Sequence, residues 1–198
     1  MNPYLPDRQT LLERLHVWAF ARPDIQALAL VGSSARISLP ADAWSDIDLL
    51  LVTGDPDFYL ASPAWCAEVA EPWAATVERA PDGRVVERRF LFRGGVDVDF
   101  LILSAASLAA LREEPLKSIT ARGARVLFDR AGILPDLVAG GPAAPAAPTA
   151  AEFAELVDDF WFHAVWTAKK LRRGELWTAK SCCDGYMKRH LLALIEWR

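Results

Sequence analysis

The chain has 198 residues, 26 of them acidic and 22 basic, for a formal net charge of −4 at neutral pH. Hydrophobic residues make up 53% and charged residues 24%, the composition of an ordinary globular protein and far from disordered or collagen-like sequences. The net acidity argues against a nucleic-acid binder that relies on phosphate neutralisation, and it leaves room for a cationic partner.

Cys66 stands alone and Cys182 and Cys183 are adjacent, with no CxxC pair and no histidine at ligand spacing. This pattern predicts neither a disulfide framework nor a zinc site, and a reducing cytoplasm suits it. The N-terminus lacks the basic-then-apolar order of a signal peptide, and no apolar run approaches the roughly 20 residues that span a bilayer. The expectation is a cytoplasmic protein with no membrane partner.

The spacing of Leu11, Leu12, Leu15, Trp18 and Ala19 predicts an opening helix from Asp7 to Arg22, capped by Asp7 and stopped by Pro23. Residues 25–31 (IQALALV) and 46–53 (DIDLLLVT) read as strands, the first ending in Gly-Ser. Residues 84–93 and 96–103 flank Gly94-Gly95, a two-residue hairpin signal. Residues 124–128 (ARVLF) predict a fifth strand, and 62–73 and 107–114 short connecting helices. The expected fold is an α/β (α+β) domain with a mixed sheet, over residues 1–138.

Residues 139–150 carry three prolines among alanine and glycine, which suits neither helix nor sheet ladder and predicts an extended linker. Beyond it, 151–198 reads as a smaller helical domain. One helix is predicted over 152–173, with Phe153, Leu156, Phe160, Ala164 and Leu171 on a stripe and Gly174 at its end. A second is predicted over 176–197, running off the end of the chain without a cap. Trp161, Trp166 and Trp177 are expected in a core or between domains, and His16, His163 and His190 outside the chemistry.

Chemistry is concentrated in Gly32-Ser33-Ser34-Ala35-Arg36, directly after a strand, and in Asp46-Ile47-Asp48, with 12 residues between Ser33 and Asp46. Asp46 and Asp48 are two apart on a predicted strand, so their side chains share a face. Paired carboxylates on one face repel unless neutralised, and Mg²⁺ with its hard oxygen ligands is the natural counter-ion, arriving with substrate phosphates. The Gly-Ser turn offers N–H groups and hydroxyls to a phosphate. Asp97 and Asp99 on the later hairpin strand also share a face. One of the two would complete a three-carboxylate cluster able to hold two Mg²⁺ ions and activate a hydroxyl for attack on an α-phosphate.

This order of strand, GSxxR, DIDLL and hDhDh resembles the nucleotidyltransferase superfamily. Within that superfamily it is similar to the streptomycin (aminoglycoside 6-) adenylyltransferase family, also in Asp42, Trp44, Trp65, Glu71 and the C-terminal runs around Trp161, Lys169, Lys180 and Trp197. The resemblance implies transfer of AMP from ATP to a hydroxyl of an aminoglycoside. Asp46 and Asp48 would be metal ligands, and Asp99 rather than Asp97 the third carboxylate, as metal ligand or general base. Gly32, Ser33, Ser34 and Arg36 would cradle the phosphates, with Lys169 and Lys180 reaching the triphosphate from the helical domain. Where Ser34 stands the family usually carries arginine, and its members are longer, so the helical domain is expected to be incomplete.

Glu152, Glu155, Asp158 and Asp159 place acid at the start of the first C-terminal helix. One reading is favourable interaction with the helix dipole. The other is an anionic wall for a cationic acceptor, with Asp158 and Asp159 as substrate-binding residues. Two further functions stay open on the sequence: transfer to another hydroxyl, on a lincosamide, a protein or another small molecule, and a nucleotide-binding homologue that transfers nothing. The sequence does not decide between monomer and homodimer.

Overall fold

The computed structural model describes residues 7–36, 41–42, 44–80, 85–111, 120, 123–134 and 147–197. The chain divides into two compact units, Met1–Ala143 and Ala144–Arg198. Most of the predicted linker, up to residue 146, lies outside the described residues.

The first unit opens with α1 (Arg8–Ala21), whose first turn is fixed by the Asp7 carboxylate accepting from the Thr10 N–H at 2.8 Å. It leads into β1 (Ile25–Val31), a short 3₁₀ turn over Gly32–Ala35, and β2 (Ile47–Thr53). There follow α2 (Pro56–Ala61), a 3₁₀ turn over Ala64–Glu68, β3 (Pro72–Arg79), β4 (Val86–Phe92), β5 (Val96–Leu103), α3 (Ala105–Ala110) and β6 (Ala124–Asp129). The six strands form one mixed sheet in the order β3-β4-β5-β2-β1-β6. Among the described strands only β2 and β5 run parallel; the other neighbouring pairs are antiparallel.

The strands alternate, so the sheet buries two unlike cores. On one face α1, α2 and the turn after it cover Leu28, Leu30, Leu49, Leu51, Val98 and Phe100. Trp65 anchors that core, stacked on Trp18 at 4.8 Å and edge-on to Phe90 and Phe100 at 5.0 and 5.2 Å. Such pairs add about 0.5–1.5 kcal/mol each beyond the area they bury. The opposite face carries a smaller cluster, Ala27, Ala29, Leu50, Val52, Leu101 and Leu103, under Leu108 and Leu111. Asp46, Asp48, Asp97 and Asp99 continue this second face beyond its apolar cluster.

In the first unit two helix expectations need correction. Residues 62–73 are not one helix: a short helix precedes them, a 3₁₀ turn occupies 64–68, and Pro72 already begins β3. Pro63 and Pro72 break the helix, and β3 is an edge strand exposed over most of its length, so it has no alternating apolar signal. The helix expected over 107–114 is α3, starting two residues earlier; 112–119 lie outside the described residues.

The second unit is helical. Its long helix α4 (Ala150–Arg172) starts with a capping box in which Thr149 and Glu152 exchange side-chain and backbone hydrogen bonds. It is followed by α5 (Leu176–Ser181), a π-helical turn over Cys182–Met187, and α6 (Lys188–Glu196). The single helix expected over 176–197 is thus interrupted by a wider turn. Trp161 and Trp177, expected in a core or between domains, are 63% and 80% exposed and so lie outside any core, and of the predicted stripe Phe153 and Leu171 also face solvent.

Candidate active site

The parallel pairing of β2 with β5 sets Asp48 directly opposite Asp99. Paired residues on adjacent strands point to the same face, about 5 Å apart. Asp46, two residues before Asp48, joins them from the approach to β2. Ligand oxygens of Asp46, Asp48 and Asp99 all lie within 4.8 Å of one another. Asp97, on the same face one pleat back, is exposed and outside this group. Two of the three acids are half-buried and Asp46 is exposed, so one side of the cluster opens to solvent.

Burial first, and nearby charge second, raise the affinity of Asp48 and Asp99 for protons. Asp48 is pushed up to about 7, first by burial and then by Asp46, Asp99 and Glu87. Asp99 is pushed up to about 6, again by burial first, with Arg89 opposing and Glu87, Asp46 and Asp97 adding to the rise. Three hard oxygen donors in mutual repulsion are the donor set that a divalent cation such as Mg²⁺ relieves.

The turn after β1 lies against this cluster. Gly32 has φ +65°, and a Cβ there would sit 2.5 Å from Asp48 Oδ2, so glycine is required both by the backbone and by the carboxylate beside it. The Gly32 N–H donates to Gly123 O at 3.1 Å, while the Ser33 hydroxyl faces Asp46 Oδ1 at 3.5 Å. The Ser34 hydroxyl donates to Asp46 O at 2.6 Å. Arg36 ends the turn exposed, its N–H donating to Ser33 O at 3.4 Å. The structure therefore brings Gly32, Ser33 and Ser34 together with the acidic triad.

Three supporting residues were not read from the sequence. Arg8, in the first turn of α1, donates to Ser45 O at 2.9 Å, to Asp46 O at 3.5 Å and to the Ser34 hydroxyl, tying the turn to the start of β2. Arg89, opposite Asp99 on β4, places Nε 3.1 Å from Asp99 Oδ2. Gly123 has φ +139°, and a Cβ there would meet the Ala35 and Arg36 backbone at 2.8 Å. A lone glycine just before the strand ARVLF signals such a close approach; nothing in the sequence singled out Arg8.

Lys169, Lys180, Asp158 and Asp159 all belong to the helical unit. Lys169 is exposed, and Lys180 is exposed and paired with Asp184. Asp159 is committed within the unit. Its carboxylate accepts from Tyr186 Oη at 2.9 Å and lies 2.6 Å from His190 Nε2 and 3.2 Å from His163 Nδ1. The Tyr186 hydrogen bond is the main reason its carboxyl is held below the usual range. Beside it opens a cavity of about 1000 Å³ lined by Glu155, Asp158, Asp159, Phe162, Tyr186 and Trp197. Glu155 and Asp158 are exposed there, with no side-chain partner among the described residues.

The fold gathers a glycine-serine turn, Asp46 on the approach to β2, Asp48 on β2 and Asp99 on the parallel neighbour β5. The family model "Streptomycin adenylyltransferase" matches residues 6–198, and the chain belongs to that family. No curated protein sequence matches the chain. Among solved structures it is similar to an aminoglycoside 6-adenyltransferase from Bacillus subtilis, with 16% identity and a TM-score of 0.40 over 96% of this chain and 65% of that one. A nucleotidyltransferase-like protein from Exiguobacterium sibiricum is 14% identical, with a TM-score of 0.33 over 92% and 54%. A CCA-adding enzyme in complex with CTP is 15% identical, with a TM-score of 0.31 over 68% and 35%. The chain thus spans less than two thirds of the length of each of these proteins. Among the described residues, no helix is long and apolar enough to cross a membrane.

Proposed function

We propose that the protein transfers AMP from ATP to a hydroxyl of an aminoglycoside such as streptomycin, with Mg²⁺ held by Asp46, Asp48 and Asp99. The observation that carries this reading is the meeting of these three carboxylates within 4.8 Å beside the Gly32 turn. Mg²⁺, bound as two ions in the full reading, would neutralise the triphosphate and favour the ionised form of an attacking hydroxyl.

The chain's own residues do the rest. The Ser33 hydroxyl and Arg36 bind phosphate oxygens, the Ser34 hydroxyl joins them by turning its proton from Asp46 O to phosphate, and Arg8 keeps the serine turn in register with Asp46. Asp99 accepts the proton of the acceptor hydroxyl as that oxygen bonds to the α-phosphorus. The bond from the α-phosphorus to the bridging oxygen breaks and pyrophosphate leaves. Lys169 and Lys180 are assigned to the triphosphate, Lys180 exchanging Asp184 for it.

The acceptor is a cationic polyol, and the acidic, aromatic-lined cavity of the helical unit suits one. Glu155 and Asp158 offer charge, while Phe162 and Trp197 offer flat apolar faces to sugar rings. The net charge of −4 adds attraction at long range. The test is incubation with labelled ATP, Mg²⁺ and a panel of aminoglycosides and lincosamides, read by mass for an AMP adduct. An adduct on streptomycin is the expected result. An adduct only elsewhere overturns the acceptor, and ATP binding with no adduct overturns the activity.

A further inference from the structure

Arg89 is the one cation ion-paired with a triad carboxylate among the described residues, and its guanidinium is divided among three acids. Nη1 lies 2.8 Å from Glu78 Oε2 and Nη2 2.8 Å from Glu87 Oε2. Nε lies 3.1 Å from Asp99 Oδ2 and 3.2 Å from Glu87 Oε2. The antiparallel pairing produces this arrangement. Arg89 faces Asp99 across β4 and β5, while Glu78 on β3 faces Glu87 on β4, so the four side chains share one face of the sheet.

The Nε–H already donates to Glu87, and Asp99 is held by charge at 3.1 Å. Withdrawing Asp99 would leave no donor without a partner, so the exchange avoids the penalty of an unsatisfied charged donor. The two shorter bonds keep the guanidinium anchored to the glutamates, and with its side chain 41% exposed Arg89 has room to move. Asp99 is only 17% exposed and fixed by the sheet. A divalent cation and a guanidinium on one carboxylate repel each other. The two cations therefore compete for Asp99, and only the guanidinium has somewhere else to go.

We propose that Arg89 is an exchangeable counter-ion of the triad, holding Asp99 in the metal-free protein and passing to Glu87 and Glu78 when a divalent cation takes Asp99. The inference rests on the reading of the triad as a metal site, and not on the identity of donor or acceptor. The opposing role, Arg89 as a fixed brace that aims Asp99 at the metal, predicts effects of the opposite sign.

The experiment is direct titration of the full chain with Mn²⁺ alone, followed by the electron paramagnetic resonance of the free ion. Arg89→Gln removes the competitor and is expected to tighten Mn²⁺ binding about five-fold, the scale of a partly exposed ion pair. Unchanged or weaker binding overturns the exchange. A second comparison separates exchange from bulk charge. Glu87→Gln removes the group that receives the guanidinium, whereas Asp97→Asn removes an equal charge from the same face without a contact to Arg89. Exchange predicts the larger loss of Mn²⁺ affinity for Glu87→Gln; equal losses overturn it. A wild-type chain that binds no Mn²⁺ overturns both the exchange and the metal site. These shifts in a chain that transfers no AMP would overturn the proposed activity alone.

Discussion

Asp48 and Asp99 stand directly opposite each other on the one parallel pair among the described strands, and the Asp99 charge adds to the rise that burial imposes on Asp48. An unfolded Asp48 would titrate near 3.8 and the folded one titrates at about 7. Between those values the folded state holds the extra proton, so this group favours folding at low pH and disfavours it as pH rises toward 7. Asp48→Asn should therefore raise the melting temperature of the metal-free protein, by more at about pH 8 than at about pH 5. Thermal melts of the two proteins across that range check this, and a gain that does not grow with pH counts against it. Divalent-ion affinity should rise over the same interval, because the ion displaces protons.

Gly32→Ala introduces a methyl group 2.5 Å from Asp48 Oδ2 at a backbone φ of +65°. The strain is expected to cost about 1–3 kcal/mol of stability. Displacement of Asp48 should cost about 100-fold in transfer rate, the usual effect of an ångström of misplacement. Melting curves and initial rates measure the two effects separately.

Gly123→Ala tests whether the turn depends on support from β6's approach. The new Cβ would press on the Ala35–Arg36 backbone, not on any carboxylate. Expected is a stability loss of about 1–3 kcal/mol with a raised KM for ATP, while Mn²⁺ affinity without nucleotide stays near wild type. A large loss of Mn²⁺ affinity would show that the turn also shapes the triad.

The adjacent acids Asp158 and Asp159 should separate. Asp159 is bonded to Tyr186 and flanked by two histidines, so Asp159→Asn should lower the melting temperature of the helical unit. Its carboxyl is depressed in the folded state, so the stability it contributes is present above its unfolded pKa and is lost as the solution is acidified. Asp158→Asn should leave the melt unchanged and raise KM for a cationic acceptor. Identical behaviour of the two variants would contradict the division.

Much of this was legible in the sequence because the informative residues sit on period-two strands. Asp46 and Asp48, and Asp97 and Asp99, declare a common face by parity alone, and the runs over 25–31 and 96–103 mark their strands closely. Parity cannot choose between Asp97 and Asp99; the register of β2 against β5 does, and register is a long-range property. Likewise β3 was hidden because an exposed edge strand has no apolar face to alternate. Arg8 lies 37 residues from the carbonyl it holds, and Arg89 reads only as one more charge in a strand until β4 is laid beside β5.

The most direct measurement is the mass of streptomycin after incubation with ATP, Mg²⁺ and either the wild-type chain or Asp46→Asn. Asp46 is exposed and belongs to neither apolar cluster, so the substitution should leave the fold and the melting curve intact. The expected result is an AMP adduct with the wild type and none with the variant. An adduct formed equally by both proteins, or by neither, would contradict the assignment of the acidic triad to nucleotide transfer.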